Sequence, residues 1–179
     1  MKKIEIRHLA ATDDRLAFAS GNARLDDFFR RFAGQNQFKH RIGTTYVAIH
    51  EGRIAGYYTV SAGTVEPAHI ARHVKGLPQY QAPVLRLARM AVAESLQRAG
   101  VGKIMLRHVC KLALQMADDL GCVGVLVDAK PQAVAFYCKF GFVNLDWGEG
   151  AKASDDLSVM FLRIKDIERV VGGLPGAIE

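Results

Sequence analysis

The sequence predicts an α/β domain, with a mixed, mostly antiparallel central sheet flanked by helices on both faces. Three observations carry that expectation. Strand-like and helix-like runs alternate in the order β-α-α-β-β, then β-α-β-α-β-β. A strand at 83–92 runs into a glycine turn and a long amphipathic helix, then an apolar strand at 123–127, the pattern of a right-handed β-α-β unit with parallel strands. Two β-rich runs, Thr44–His50 and Arg53–Val65, are separated only by Glu51-Gly52, the spacing of a tight hairpin.

Each element has its own signal. Residues 4–9 alternate apolar and charged side chains and read as a first strand. Thr12 or Asp13 is placed to cap a short helix through Ala19, and Asn22 to open a second one over 25–37. In that second helix Leu25, Phe28, Phe29 and Phe32 recur at helical spacing. Residues 67–78 form a less regular, basic excursion. The long helix is expected over 102–120, with Met105, Val109, Leu112, Met116 and Leu120 as its apolar stripe and Gly121 just past its end. The short run 123–127 is apolar throughout, as in a strand buried on both faces. Pro131 starts a helix through Phe140 and Gly141 stops it. Strands follow at 142–145 and 157–164, then a helical turn at 166–171.

The length of 179 residues suits one domain, assigned to 1–171, with a loose tail at 172–179. Hydrophobic residues make up 50% and charged residues 23%, the balance of a soluble globular chain. No run approaches the roughly 20 apolar residues of a membrane span. The alternating N-terminus lacks the apolar core of a signal peptide, so a cytoplasmic location is expected. Cys110, Cys122 and Cys138 are odd in number and lack C-x-x-C spacing, which argues for reduced thiols and against a disulfide framework or a metal site. The net charge of +6 favours an anionic partner, for which nucleic acid and a phosphorylated cofactor both qualify.

The most informative segment leads from Met90-Ala91-Val92 to Gln97-Arg98-Ala99-Gly100-Val101-Gly102-Lys103. Unpaired amides at a helix start, with the helix dipole behind them, suit a phosphate or pyrophosphate. Two well-known phosphate motifs fail here. A Walker loop needs glycine at 97 and Ser or Thr at 104, where Gln97 and Ile104 stand. A dinucleotide fingerprint needs glycine at 105, where Met105 stands.

What remains, Q-x-x-G-x-G, resembles the acetyl-CoA-binding motif of the GNAT superfamily of N-acetyltransferases. Ala135-Phe136-Tyr137-Cys138-Lys139-Phe140-Gly141-Phe142 resembles that family's A-x-x-F-Y-x-x-x-G-F element. Ser20-Gly21-Asn22, Leu25-Asp26-Asp27-Phe28, Gly56-Tyr57-Tyr58, Ala88–Val92 and 161–166 are similar to the GNAT toxins of bacterial toxin–antitoxin pairs, although Ala88 stands where that group commonly has glycine. The resemblance implies a GNAT fold and acetyl-CoA as cosubstrate. It implies aminoacyl-tRNA as the substrate, its α-amine acetylated so that translation is blocked. It implies also a ribbon-helix-helix antitoxin and a homodimer.

The resemblance further implies site roles. Gln97 to Lys103 would hold the pyrophosphate through backbone amides, Met90, Ala91 and Val92 would pair with the pantetheine arm, and Phe136 would line the cofactor site. A strand amide would stabilise the developing oxyanion. Tyr137 is the expected general acid, because a phenol protonated at neutral pH can donate to a departing thiolate. No Glu or His stands out as a base. That suits an α-amine, whose pKa near 7.7–8 leaves much of it neutral, better than a lysine. Cys138 has no visible partner base and direct transfer needs no covalent intermediate. Arg89 on the cofactor strand is the first candidate for substrate contact. Arg30, Arg31, Lys39, Arg41, Arg72, Lys75 and Arg86 are candidates for tracking tRNA phosphates. The alternative enzyme is a general GNAT acting on a small amine or a protein amine, and a further one is a silent acyl-CoA-binding module.

Overall fold

The computed structural model describes residues 3–145 and 157–172, with side chains as far as 169. A mixed seven-stranded sheet runs in the order β1-β2-β3-β4-β5-β7-β6. Its strands are β1 (Glu5–His8), β2 (Thr44–His50), β3 (Arg53–Val65), β4 (Ala82–Val92), β5 (Gly124–Ala129), β6 (Val143–Asn144) and β7 (Ser158–Arg163). The helices are α1 (Ala23–Asp27), α2 (Pro67–Ile70), α3 (Val101–Asp119), α4 (Pro131–Cys138) and α5 (Ile164–Gly172). By contact the chain forms two compact units, 1–61 with 87–109 and 62–86 with 110–179, and β3, β4 and α3 contribute residues to both.

In the first unit β1, β2 and β3 pair antiparallel, and the β2–β3 turn has both central residues at positive φ (Glu51 50°, Gly52 75°). That is the backbone whose twist matches a two-residue hairpin. The sheet here is covered on both faces. On one, Tyr57 lies fully buried against Phe29, ring centroids 4.2 Å apart and nearly parallel, and donates its hydroxyl to the Leu25 carbonyl. On the other, the backbone at Gly56 lies against Met105 of α3. Leu9, Phe18, Phe28, Phe29, Val47 and Tyr57 form this unit's core.

In the second unit β5 and β6 pair antiparallel with β7, and Val65, Ile70, Val84, Leu126 and Phe161 form the core. Gly121, at φ 94°, ends α3 with its amide on the Met116 carbonyl. Cys122 is buried, Cys110 half-buried and Cys138 exposed, all three as free thiols. Burial pushes Cys110 up to about 11, so it stays a thiol.

Three expectations need correction. The short helix over 12–19 does not form. Asp13 instead holds Arg7 through two bonds of 2.7 and 2.8 Å and accepts the Ala10 amide, so it closes a turn behind itself rather than capping one ahead. The second helix starts as an α-helix capped by Asn22, then widens into π-helical stretches at Phe28–Phe32 and Gln35–His40. The apolar stripe of α3 is displaced at its end. Met105, Leu106, Val109 and Ala113 are the buried line, while Leu120, beyond the last turn, is 83% exposed. Of the tail assigned to 172–179, Gly172 is the last residue of α5 and 173–179 lie outside the described residues. Among the described residues no helix is long and apolar enough to cross a membrane.

Candidate acetyl-CoA site

The first unit contains the glycine turn and the strand end that leads into it. After Val92 the chain makes a short 3-10 turn, Glu94–Leu96, and then turns sharply. Arg98 has φ 63° and Gly100 φ 89°. Alternation of right- and left-handed residues aims successive amides at one point, which is how a backbone binds an anion. A non-glycine residue in the left-handed region costs about 1 kcal/mol or more, so Arg98 is held there by its surroundings. No atom lies within 4 Å of where a Gly100 side chain would start. That residue therefore keeps an open approach as well as its backbone angle. The first amides of α3, at Val101, Gly102 and Lys103, have no carbonyl one turn earlier to bond. The exposed Arg98 and Lys103 side chains add charge of the same sign. The arrangement fits a pyrophosphate.

Gln97 fastens this turn. Its amide nitrogen donates to the Ser20 carbonyl at 2.8 Å and approaches the Val92 carbonyl at 3.2 Å. The glutamine of the Q-x-x-G-x-G pattern thus acts on the protein backbone, where it shapes the loop. Just before the turn a groove is lined by Asp13, Asp14, Glu51 and Glu94 against Arg7 and Arg53. Its excess of carboxylates makes it a poor track for phosphates.

Arg89, exposed on β4, lies over the Phe28 ring with its guanidinium carbon 4.0 Å from the centroid. The ring fixes one face of the cation. Phe28 was legible in the sequence only as a core position of a helix, and nothing there linked it to Arg89. The structure brings Arg89, Met90, Ala91, Val92 and the 97–103 turn together in this unit.

Phe136 and Tyr137 lie in the second unit on α4. Tyr137 is 5% exposed, with Phe136 and Phe142 edge-on at 5.2 and 5.3 Å. Burial raises its pKa well above the ordinary phenol value near 10, so it carries its proton throughout the physiological range.

The basic candidates differ in circumstance. Arg30 donates to the Phe18 carbonyl at 2.5 Å, and Arg86 forms an ion pair with Asp128. Both are engaged within the fold. Arg31 makes an exposed 3.3 Å pair with Asp27. Lys39 and Arg41 in the first unit and Arg72 and Lys75 in the second are exposed.

The model of the acetyltransferase (GNAT) domain matches residues 41–144. A tRNA-acetylating toxin of Mycobacterium tuberculosis (strain ATCC 25618 / H37Rv) is 31% identical over 167 residues, covering 93% of this chain and 95% of that protein. Among solved structures, a bacterial toxin shares the fold at TM-score 0.87, with 22% identity and 98% of each chain covered. AtaT complexed with acetyl-methionyl-tRNAfMet is similar at TM-score 0.80, with 25% identity over 94% of this chain and 99% of that one. AtaTR bound with AcCoA gives a TM-score of 0.77, with 26% identity over 95% and 99%. The chain is therefore an N-acetyltransferase belonging to the GNAT family, and its kinship lies with the family's toxins.

Proposed function

We propose that this enzyme transfers the acetyl group of acetyl-CoA to the α-amine of aminoacyl-tRNA and acts as the toxin of a toxin–antitoxin pair, blocking translation. The observation that carries this reading is the near full-length likeness to a tRNA-acetylating toxin, on a chain whose glycine turn has the shape of a pyrophosphate cradle. The net charge of +6 agrees with a polyanionic substrate. The further parts of the proposal are a ribbon-helix-helix antitoxin, a homodimer and a cytoplasmic location.

In this reading the 97–103 turn holds the pyrophosphate and the Met90–Val92 backbone pairs with the pantetheine arm, with Phe136 lining the cofactor site. Acetyl-CoA supplies the acyl group as a thioester. A neutral α-amine needs no strong base: its nitrogen bonds to the carbonyl carbon and its surplus proton leaves to solvent. A β4 amide carries the charge building on the carbonyl oxygen. As the carbon–sulfur bond breaks, Tyr137 donates its hydroxyl proton to sulfur and is reprotonated from water. Arg89, steadied by Phe28, is the substrate contact nearest this strand, and Lys39, Arg41, Arg31, Arg72 and Lys75 offer charge to the tRNA backbone. No metal is called for by direct transfer to a neutral amine.

The test is incubation with charged tRNA and labelled acetyl-CoA. Label is expected on the tRNA fraction and lost when the tRNA is deacylated beforehand. Label found on protein or small amines, and absent from tRNA, would replace this substrate with the general amine acetyltransferase.

A further inference from the structure

Asp26, a carboxylate only 7% exposed, is the one buried residue of α1. Such a group requires strong acceptor geometry to stay buried. It has it: Oδ1 accepts the Ser20 hydroxyl at 2.6 Å and the Ser20 amide at 2.9 Å. Ser20 is itself buried, and its hydroxyl is approached by the Asn22 amide at 3.3 Å. The peptide around Ser20 is thus pinned to α1 on its amide side. Its carbonyl faces the other way and receives the side chain of Gln97 at 2.8 Å. One residue earlier, the Ala19 carbonyl accepts the Glu94 amide at 2.9 Å. The chain entering the glycine turn therefore hangs from two consecutive carbonyls, and those carbonyls are held in place from α1.

We propose that Asp26 is a positioning residue for the cofactor: through Ser20 and Gln97 it fixes the backbone of the turn, so that the amides from Arg98 onward stay aimed at the pyrophosphate of acetyl-CoA. The inference rests on the reading of that turn as the acetyl-CoA cradle. The physical reason is preorganisation. A strained turn with left-handed residues at Arg98 and Gly100 relaxes when its entry is released, and its amides then lose their common target. Asp26 acts through Ser20, to which its hydrogen bonds go. The same helix run reaches Arg89 through Phe28, so donor-side and acceptor-side supports begin two residues apart and are separable by mutation.

The test uses the purified full-length enzyme with charged tRNA and acetyl-CoA, together with direct titration of CoA. Asp26→Ala is expected to raise the KM for acetyl-CoA and the Kd for CoA about tenfold or more, the size of effect a charge-assisted hydrogen bond carries. Asp26→Asn and Ser20→Ala keep part of the network and should fall between, at roughly three- to tenfold. In all three, kcat at saturating acetyl-CoA and the KM for tRNA should stay within about twofold of wild type. Asp27→Asn, one residue along and exposed, should leave the KM for acetyl-CoA unchanged. A fall in kcat and thermal midpoint with no change in KM or CoA affinity would show a purely structural role and overturn the proposal. If Asp26→Ala does not fold, the Asn and Ser20→Ala variants decide by the same split. Failure of the wild-type enzyme itself to bind CoA would instead remove the cradle reading, and this proposal with it.

Discussion

The hydroxyl of Tyr58 lies 2.5 Å from Nδ1 of His108, joining β3 to α3 under a stacked Tyr46 ring 5.1 Å away. Tyr58 is fully buried, and burial pushes its phenol far above its ordinary value. The bond anchors α3, the helix that follows the glycine turn. Tyr58→Phe keeps the ring and removes the bond. It should lower unfolding free energy by about 1–2 kcal/mol in urea titration, with the KM for acetyl-CoA little changed.

Tyr137→Phe should lower kcat by about 10²- to 10⁴-fold while CoA affinity stays close to wild type. Turnover near the wild-type rate would remove Tyr137 from the mechanism. The pH profile supplies a second check. The phenol must be protonated to act, and burial raises its pKa, so no alkaline loss from this group is expected below about pH 10. The acid side should instead follow the substrate amine, with kcat/KM rising through about pH 7.7–8.

Two glycines should respond differently to alanine. At Gly100 there is room for a methyl group, but φ is 89°. Gly100→Ala should remain folded, cost about 1–2 kcal/mol and raise the KM for acetyl-CoA. At Gly124 a Cβ would sit 2.3 Å from the Leu162 carbonyl oxygen and 2.4 Å from the Phe161 ring. Gly124→Ala should cost about 3 kcal/mol or more, seen as loss of soluble protein or a large drop in thermal midpoint.

The Arg7–Asp13 pair makes an acid-sensitive contribution. The bond from Arg7 holds the Asp13 carboxyl below its usual range. A depressed folded-state pKa means stability present above the unfolded value, about 3.9, and lost as pH falls through the folded one. Arg7 is 38% exposed, so screening limits the contribution. Asp13→Asn should destabilise by about 1 kcal/mol at neutral pH, and the difference from wild type should shrink as pH falls below about 3.9, measured by chemical denaturation across that range.

Reversing Lys39 and Arg41 together should weaken tRNA acetylation and flatten its salt dependence, with CoA binding unaffected. Equal loss of both would argue against a separate tRNA surface. Truncating Arg30 should act mainly on stability, because its guanidinium is committed to the Phe18 carbonyl.

Much of the fold was legible because its strands follow their periodicity closely: β2 and β3 lie where alternation and Glu51-Gly52 place them, and α3 begins at the glycine turn. The Q-x-x-G-x-G pattern marked the sharp turn before α3 in the same way, since positive φ leaves its mark on residue choice at Gly100. Long-range partnerships left no such mark. Asp13 looks like a helix cap until Arg7 is beside it, and Asp26 looks like a surface acid until Ser20 is. The pairing of Arg89 with Phe28 joins positions far apart in the chain whose separate patterns, strand and helix, carry no sign of each other.

The wide turns after α1 have a consequence for insertions and deletions. Gln37, within the second of them, bridges β1 and β2, giving its amide to the Leu9 carbonyl at 2.9 Å and accepting the Thr45 amide at 2.7 Å. A π-turn holds one residue more than an α-turn. Excising the surplus residue within 28–32 would let that turn close to α-helix with Gln37 still facing the two strand ends, whereas the same excision from a regular α-helix would swing Gln37 about 100° around the axis and undo the clasp. The slack in this run lies in its wide turns.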